Sequence, residues 1–266
     1  MHYKKANASD ILKVKSLWQE VFEDTDDYIL RFINHFGIEN GYVCETNNEI
    51  VAMAFALPTI LSFPEQLPAL YVYACATKSQ YRKQGIMQNL LTFIFEEACN
   101  KHLTGVFLRP ANENTASYYR KLGFEDFFYR NQIVFNRKET KENAKGIVKF
   151  ITPEVYYKKR LQKLEKYCFV NWNEPFFRFL YETESQFCGL ENAIFSFQNH
   201  DNEIIVDELL GDFPESYVAN FLFETYADAT KIKFYLPGND ICCGQIKWCK
   251  ALNENLENGY FSFAME

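Results

Sequence analysis

Two stretches of this chain hold residue types that could do chemistry. The first is Arg82-Lys83-Gln84-Gly85-Ile86-Met87, a short basic run around one glycine. It lies between an extended apolar run, Leu70 to Thr77, and a segment with Ile86, Leu90, Leu91, Ile94, Phe95 and Ala98 at helical spacing. Strand, glycine loop and helix entry together make an anion site. A helix start presents unpaired N–H groups and a partial positive charge, and glycine lets a phosphate come close to the backbone. Arg82 and Lys83 add formal charge there. The same residues also suit a plain helix entry with two solvated cations, so the loop alone leaves both readings open. The second stretch, Tyr118-Tyr119-Arg120-Lys121-Leu122-Gly123-Phe124, follows a strand-like Gly105 to Arg109 and then Asn112. It sets two tyrosines on a short helix that Gly123 ends.

In order, spacing and context the two stretches resemble the GNAT superfamily of acyl-CoA-dependent N-acetyltransferases. The loop Arg82 to Met87 is similar to its Arg-x-x-Gly-x-Gly/Ala motif. Asn112 with Tyr119-Arg120-Lys121-Leu122-Gly123-Phe124 is similar to its Asn…Tyr-x-Lys-Leu-Gly-Phe signature. Met87 departs from the pattern, standing where a small residue is usual; Gly-Ile-Met resembles the variant of tandem members related to the enhanced-intracellular-survival type. The resemblance implies acetyl-CoA as co-substrate. Its pyrophosphate would be cradled by Arg82, Lys83, Gln84, Gly85, Ile86, Met87 and Gln88, its pantetheine arm held by Cys75, Ala76 and Thr77, with Asn112 also at the cofactor. Tyr119 would be the proton donor to the departing thiolate.

Direct acyl transfer also needs a neutral amine. With a pKa of about 10.4, a free amine is protonated roughly a thousandfold over its neutral form at pH 7, so a base or a desolvating pocket is required. Glu113, an acid of the turn at 23–27, and the terminal carboxylate at Glu266 all remain candidates, the last from the tandem resemblance. Tyr118 is expected in the core.

These groups need a framework. Tyr3 to Ala6 suits a first strand, and Asp10 a cap for a helix carrying Ile11, Val14, Leu17, Trp18, Val21 and Phe22. After the acidic turn Glu23-Asp24-Thr25-Asp26-Asp27 a second helix runs to Phe36. In the GNAT fold such a pair borders the acceptor site, so Asp24, Asp26 and Asp27 could attract an amine; capping by a loop acid is the plainer expectation. Residues 41–61 read as a hairpin turning at Asn47-Asn48. Phe127 to Tyr129 and Gln132 to Phe135 read as closing strands. Arg137 to Gly146 is charged and nearly free of apolar residues, which suits a linker.

Beyond it, Thr152-Pro153 starts a helix, and Pro175 to Phe187 suits another. A hairpin is expected on either side of Asn199 to Asn202, then a helix over Pro214 to Tyr226 and a strand over Lys231 to Leu236. This order echoes the first half but lacks a basic glycine loop. The expected fold is therefore α/β (α+β): a GNAT fold with a mixed, mostly antiparallel sheet flanked by helices at 1–137, a linker at 138–146, and a degenerate GNAT-like domain at 147–266.

Composition bounds the function. The chain has 266 residues, 48 % of them apolar and 24 % charged, as in ordinary globular proteins. Net charge is −7, and the excess acid lies in the second half: residues 1–146 hold 17 basic and 17 acidic residues, residues 147–266 hold 11 and 18. That balance argues against nucleic acid as partner. No apolar run has the length of a membrane span, and the N-terminus lacks a signal-like segment. The eight cysteines and four histidines form no metal pattern. A cytoplasmic protein with reduced thiols, no metal and no membrane partner is expected. Its partner would be a small-molecule amine. Three functions stay open: an acetyl-CoA-dependent N-acetyltransferase acting on a small molecule or amine-bearing metabolite, a non-catalytic acyl-CoA-binding or partner-binding module, and an aminoacyl transferase using charged tRNA. Met87 is the best support for the second, and the acidic second half weighs against the third.

Overall fold

The computed structural model describes residues 1–63, 65–137, 148–250 and 258–263. Strand β1 (His2–Lys5) leads into α1 (Ile11–Phe22) and α2 (Asp26–Phe36). A meander of β2 (Gly41–Thr46), β3 (Glu49–Phe63) and β4 (Glu65–Thr77) follows. Then come α3 (Ile86–Asn100), β5 (Gly105–Leu108), α4 (Glu113–Lys121) and β6 (Glu125–Asn136). The second half runs β7 (Lys149–Phe150), α5 (Pro153–Leu164), β8 (Phe169–Asn171), α6 (Glu174–Glu182) and β9 (Gln186–Gly189). It continues with β10 (Ala193–His200), β11 (Glu203–Gly211), α7 (Glu215–Thr225), β12 (Lys231–Pro237), β13 (Ile241–Trp248) and β14 (Gly259–Tyr260).

One twisted path of strands joins the halves, in the order β1-β2-β3-β4-β5-β13-β6-β12-β11-β10-β9-β7. Most neighbours are antiparallel; β4 with β5 and β11 with β12 are parallel. This is the mixed, mostly antiparallel sheet flanked by helices that the sequence implies. Strand β13 crosses from the second half to lie between β5 and β6, pairing Gln245 with Leu108 on one side and Arg130 with Ile241 on the other. The linker expected at 138–146 lies outside the described residues.

Three apolar cores hold these layers. On one face of the first-half strands, α3 packs Ile86, Leu90, Leu91 and Ile94 over Ala54 and Ala56 of β3. The alanines leave that face flat enough for a helix to sit close. In the second half, Val218, Ala219, Leu222 and Phe223 of α7 cover β10, β11 and β12. The largest core is shared: Trp18, Phe32 and Phe55 from the first half meet Phe176, Phe177 and Phe179 of α6. Phe32 lies edge-on to Phe179 with ring centroids 5.9 Å apart. Full burial of one such ring contributes about 1.5–3 kcal/mol, so an aromatic seam of this kind binds the halves firmly.

Several local expectations are corrected. Asp10 stands at the N-cap position of α1 but makes no side-chain cap bond to it; Asn7 caps a short 3-10 turn before it, and the Asp10 carboxylate accepts from the Asn7 N–H at 3.1 Å. Thr25, not an acid, caps α2 by accepting from Tyr28 N. The helix at Pro175 stops at Glu182, because Phe187 and Cys188 are buried in β9 against β10. The two closing strands are one, β6. Tyr118 is 36 % exposed rather than in the core. Strands β7, β8, β13 and β14 carry no clear sequence pattern.

Candidate active site

Strands β4 and β5 are paired from Ala69–Gly105 to Val72–Leu108 and then part. Pro110, shortly after β5, has no N–H to continue a ladder. Strand β4 runs on to Thr77 but kinks at Ala74, whose φ is +52°, where its register with β3 shifts. The result is a cleft of about 530 Å³, lined by Tyr73, Ala74, Cys75, Arg109, Tyr119 and Asp24, among others. Past Val72 the β4 backbone has no β5 partner, which leaves its polar groups facing the cleft.

The loop at the end of β4 closes on itself. Arg82 Nε donates to the Thr77 carbonyl at 3.0 Å, and Gln84 Nε2 to the Gln80 carbonyl at 3.1 Å. Lys83 and Gly85 have φ of +61° and +75°. A Cβ built on Gly85 would meet nothing within 4 Å. Glycine is thus required by the backbone angle, while the space over it is open. Gly85 precedes the first turn of α3, whose N–H groups have no partner within the helix. Arg82, Lys83, Gln84, Gly85 and Gln88 are exposed and Ile86 is buried. Met87 packs against the α3 core, so this departure from the family pattern does not block the loop.

Tyr119 is held by the turn that follows it. Its carbonyl accepts from Leu122 N at 2.9 Å and Phe124 N at 3.2 Å, and Gly123 sits at φ +88°. That closure, of the kind that ends helices at glycine, is the physical content of the Leu-Gly-Phe signature. Strand β13 seats the same helix: Lys247 Nζ donates to the Leu122 carbonyl at 2.9 Å and Gln245 Nε2 to the Ala116 carbonyl at 3.3 Å. The Tyr119 side chain lies beside the Cys75 thiol. Burial, followed by the neighbouring Cys75, pushes its phenol well above the usual tyrosine range. Burial likewise pushes the Cys75 thiol up to about 12. Both stay protonated at neutral pH. Asn112 is occupied as the α4 cap, exchanging hydrogen bonds with Thr115.

The candidate bases separate by position. Glu113 is exposed and bonded to Arg120 at 2.6 Å, which holds its carboxyl below the usual range. It faces a smaller cavity, not the cleft. Asp26 is tied to Lys15 at 2.6 Å and Asp27 to Arg31 at 2.8 Å. Of the acids at 23–27 only Asp24 lines the cleft, where Trp18 Nε1 donates to it at 2.7 Å. Beside it the Tyr28 and Tyr73 hydroxyls are 3.2 Å apart. Glu266 lies outside the described residues.

A second cavity, of about 450 Å³, adjoins the cleft and shares Arg109 and Tyr235 with it. Its lining mixes the acids Asp27, Glu182, Glu184 and Asp207 with the cations Arg31, Arg109 and Arg130, and Arg31 pairs with both Asp27 and Glu182. The Arg130 guanidinium stacks 3.4 Å over the Tyr235 ring. Phe263 joins its wall from the far end of the chain. Neither this cavity nor the β13 contacts to α4 are readable from the sequence, since they depend on how the halves meet. Among the described residues no group of His, Cys, Asp or Glu has metal-holding geometry, and no helix is long and apolar enough to cross a membrane.

A parted β4–β5 pair, a glycine loop at the helix entry after β4 and a tyrosine helix at the opening define a GNAT-type architecture. Residues 2–127 match the family model described as "Acetyltransferase (GNAT) domain", so the likeness to that family rests on just under half of the chain. No match was found among curated protein sequences. Among solved structures, a conserved protein of unknown function and probable N-acyltransferase from Enterococcus faecalis is similar over 94% of this chain and 72% of its own, with TM-score 0.76 and 11% identity. A GCN5-related N-acetyltransferase from Anabaena variabilis is similar over 94% and 73%, with TM-score 0.75 and 13% identity. An Eis protein from Mycobacterium abscessus gives 94% and 74%, with TM-score 0.68 and 11% identity. At these identities the likeness is one of fold. It extends over both halves.

Proposed function

We propose that the protein is an acetyl-CoA-dependent N-acetyltransferase that moves an acetyl group to an amine of a small molecule or amine-bearing metabolite by direct attack. The observation that carries this reading is the cleft with the protonated Tyr119 in its wall, beside a strand β4 that leads into the open-faced glycine loop at Gly85. The open space over Gly85 and the unpaired N–H groups at the start of α3 suit a pyrophosphate. Acetyl-CoA, when bound, supplies an activated acyl thioester. Lys83 to Gln88 would hold its phosphates and Cys75 to Thr77 its amide-bearing arm. Asn112 contributes through the shape of the α4 entry, since its side chain is committed to the cap.

The acceptor would enter by the 450 Å³ cavity, whose lining offers carboxylates, among them Glu184 and Asp207, beside the ion pairs of Arg31 with Asp27 and Glu182. Within the cleft Asp24 would receive the proton that the amine must lose, directly or through water, and the Tyr28–Tyr73 hydroxyl pair would help orient it. Tyr119 donates a proton to the leaving thiolate. Burial keeps the proton on the phenol throughout the neutral range, so the donor form is fully populated, while the same burial makes that proton harder to give up. The division into a catalytic domain at 1–137 and a degenerate partner at 147–266 belongs to this proposal, with a cytoplasmic location.

The test couples binding to turnover. Acetyl-CoA should raise the melting temperature, and free thiol should then be released in the presence of spermidine, an aminoglycoside or a lysine-containing peptide. Stabilisation without thiol release from any amine would favour the non-catalytic binding module. No stabilisation would refute both.

A further inference from the structure

The chain end is held by the most buried polar cluster among the described residues. Arg160 and Glu208, both fully buried, form an ion pair at 2.9 Å between α5 and β11. Ser262 lies across it: its hydroxyl donates to Glu208 Oε1 at 2.6 Å and accepts from an Arg160 terminal nitrogen at 3.1 Å. The Ser262 carbonyl accepts from Trp172 Nε1 at 3.0 Å. Tyr156 and the Val170 carbonyl complete the partners of Glu208 and Arg160, at 2.9 and 3.1 Å. On either side of this knot, Phe261 wedges edge-on against Tyr71 of β4 and Phe107 of β5, and Phe263 against Phe177 of α6.

Phe263 is the unusual residue. Its φ is +56°, a left-handed backbone that a bulky side chain rarely adopts, yet it is 5 % exposed and lines the 450 Å³ cavity. Such strain persists only where surrounding contacts over-determine it, and it clusters at functional sites. Here the over-determination is visible one residue earlier, in the three side chains, Glu208, Arg160 and Trp172, whose hydrogen bonds fix Ser262. A buried ion pair seldom contributes much net stability over apolar packing, and its best-attested use is to impose one arrangement on the groups around it.

We propose that the Arg160–Glu208 pair, acting through Ser262, whose carbonyl Trp172 holds from the other side, is a positioning element of the acceptor site: it pins Phe263 in its strained conformation as a wall of that cavity and so sets which amines fit. This rests on the assignment of that cavity to the acceptor. The pair touches no substrate; it acts through the tail.

Substituting Arg160 or Glu208 alone would strand a buried charge and risks unfolding, so the test uses Ser262, which links the pair to the tail, and Trp172, which holds the same residue from the other side. Ser262→Ala removes the hydroxyl. Trp172→Phe removes the indole donor and keeps a ring to stack on Phe176, now 4.1 Å away. Hydrogen exchange over Tyr260–Phe263 should accelerate at least tenfold in both variants. For spermidine, kanamycin and a lysine tripeptide, whichever the unaltered protein acetylates, acceptor KM should rise about tenfold, with KM for acetyl-CoA within twofold. Unchanged exchange would overturn the clamp. Faster exchange with unchanged acceptor KM would overturn its role in the acceptor site, as would equal loss toward both substrates. If the unaltered protein acetylates none of the amines, the enzyme assignment fails and the acceptor role with it, while the exchange data still decide the clamp.

Discussion

At the scale of single residues, the account depends most on one hydroxyl. Tyr119 is fixed by its own helix turn, by the ring of Phe124 at 5.8 Å and by β13 beneath the helix. Tyr119→Phe keeps the ring and its packing and removes the proton donor. Turnover should fall by roughly 10²–10⁴-fold, while acetyl-CoA affinity stays within a fewfold and stability changes by about 1 kcal/mol. Lower stability with turnover preserved would make Tyr119 a structural residue. The raised pKa also fixes the sign of a pH effect. The phenol is a donor only below its folded pKa, which lies above the ordinary tyrosine value near 10. Titration of Tyr119 should therefore produce no fall in kcat between pH 7 and about pH 10; a decline in kcat below pH 9 that vanishes in Tyr119→Phe would contradict the assignment.

At the scale of elements, the glycine loop and the chain around it make the argument. Gly85→Val puts a branched side chain into the one open space above the start of α3 and at a backbone angle that disfavours it. Acetyl-CoA affinity should drop by more than tenfold, with a smaller loss of stability read by urea unfolding. A folded Gly85→Val protein with unaltered affinity would remove the loop from the site. The sequence made these elements legible where local physics decides them. Asn47-Asn48 turns its hairpin with φ of +49° and +62°, Thr152 caps α5, and the strand–loop–helix from β4 to α3 stands where the apolar pattern puts it. The unread parts are those settled by distant partners. Cys242-Cys243-Gly244 has no strand alternation, yet β13 forms there because β5 and β6 both offer it an edge; a Cβ on Gly244 would sit 2.8 Å from Phe261. Likewise Arg160 looks like one more surface cation of a helix, and only the fold brings Glu208 and Ser262 to it.

At the scale of the molecule, the two halves are interlocked rather than merely joined. Strand β13 completes the sheet beside the cleft and steadies the Tyr119 helix, and β6 pairs with β12 over Arg130 to Asn136. The shared core between α2 and α6 adds the apolar seam. The halves should therefore unfold together. Trp18 reports on the first half and Trp172 on the second, so fluorescence from variants keeping one or the other should give coincident urea transitions. Two separated transitions would show that the halves are stable independently and that the interlock is weak. Because the 450 Å³ cavity draws Asp27 and Arg31 from the first half and Glu182 and Asp207 from the second, this interlock also decides whether that cavity exists at all.

The claim that joins these scales is that acetyl-CoA bound over Gly85 gives up its acetyl group to an amine in the adjoining cavity with Tyr119 as proton donor. Transfer of a labelled acetyl group from acetyl-CoA, followed by mass spectrometric identification of the acetylated amine, measures it directly. The account predicts an N-acetylated product whose rate of formation falls at least a hundredfold in Tyr119→Phe with acetyl-CoA still bound. Absence of labelled product with every amine tested, or an equal rate in the variant, would contradict it.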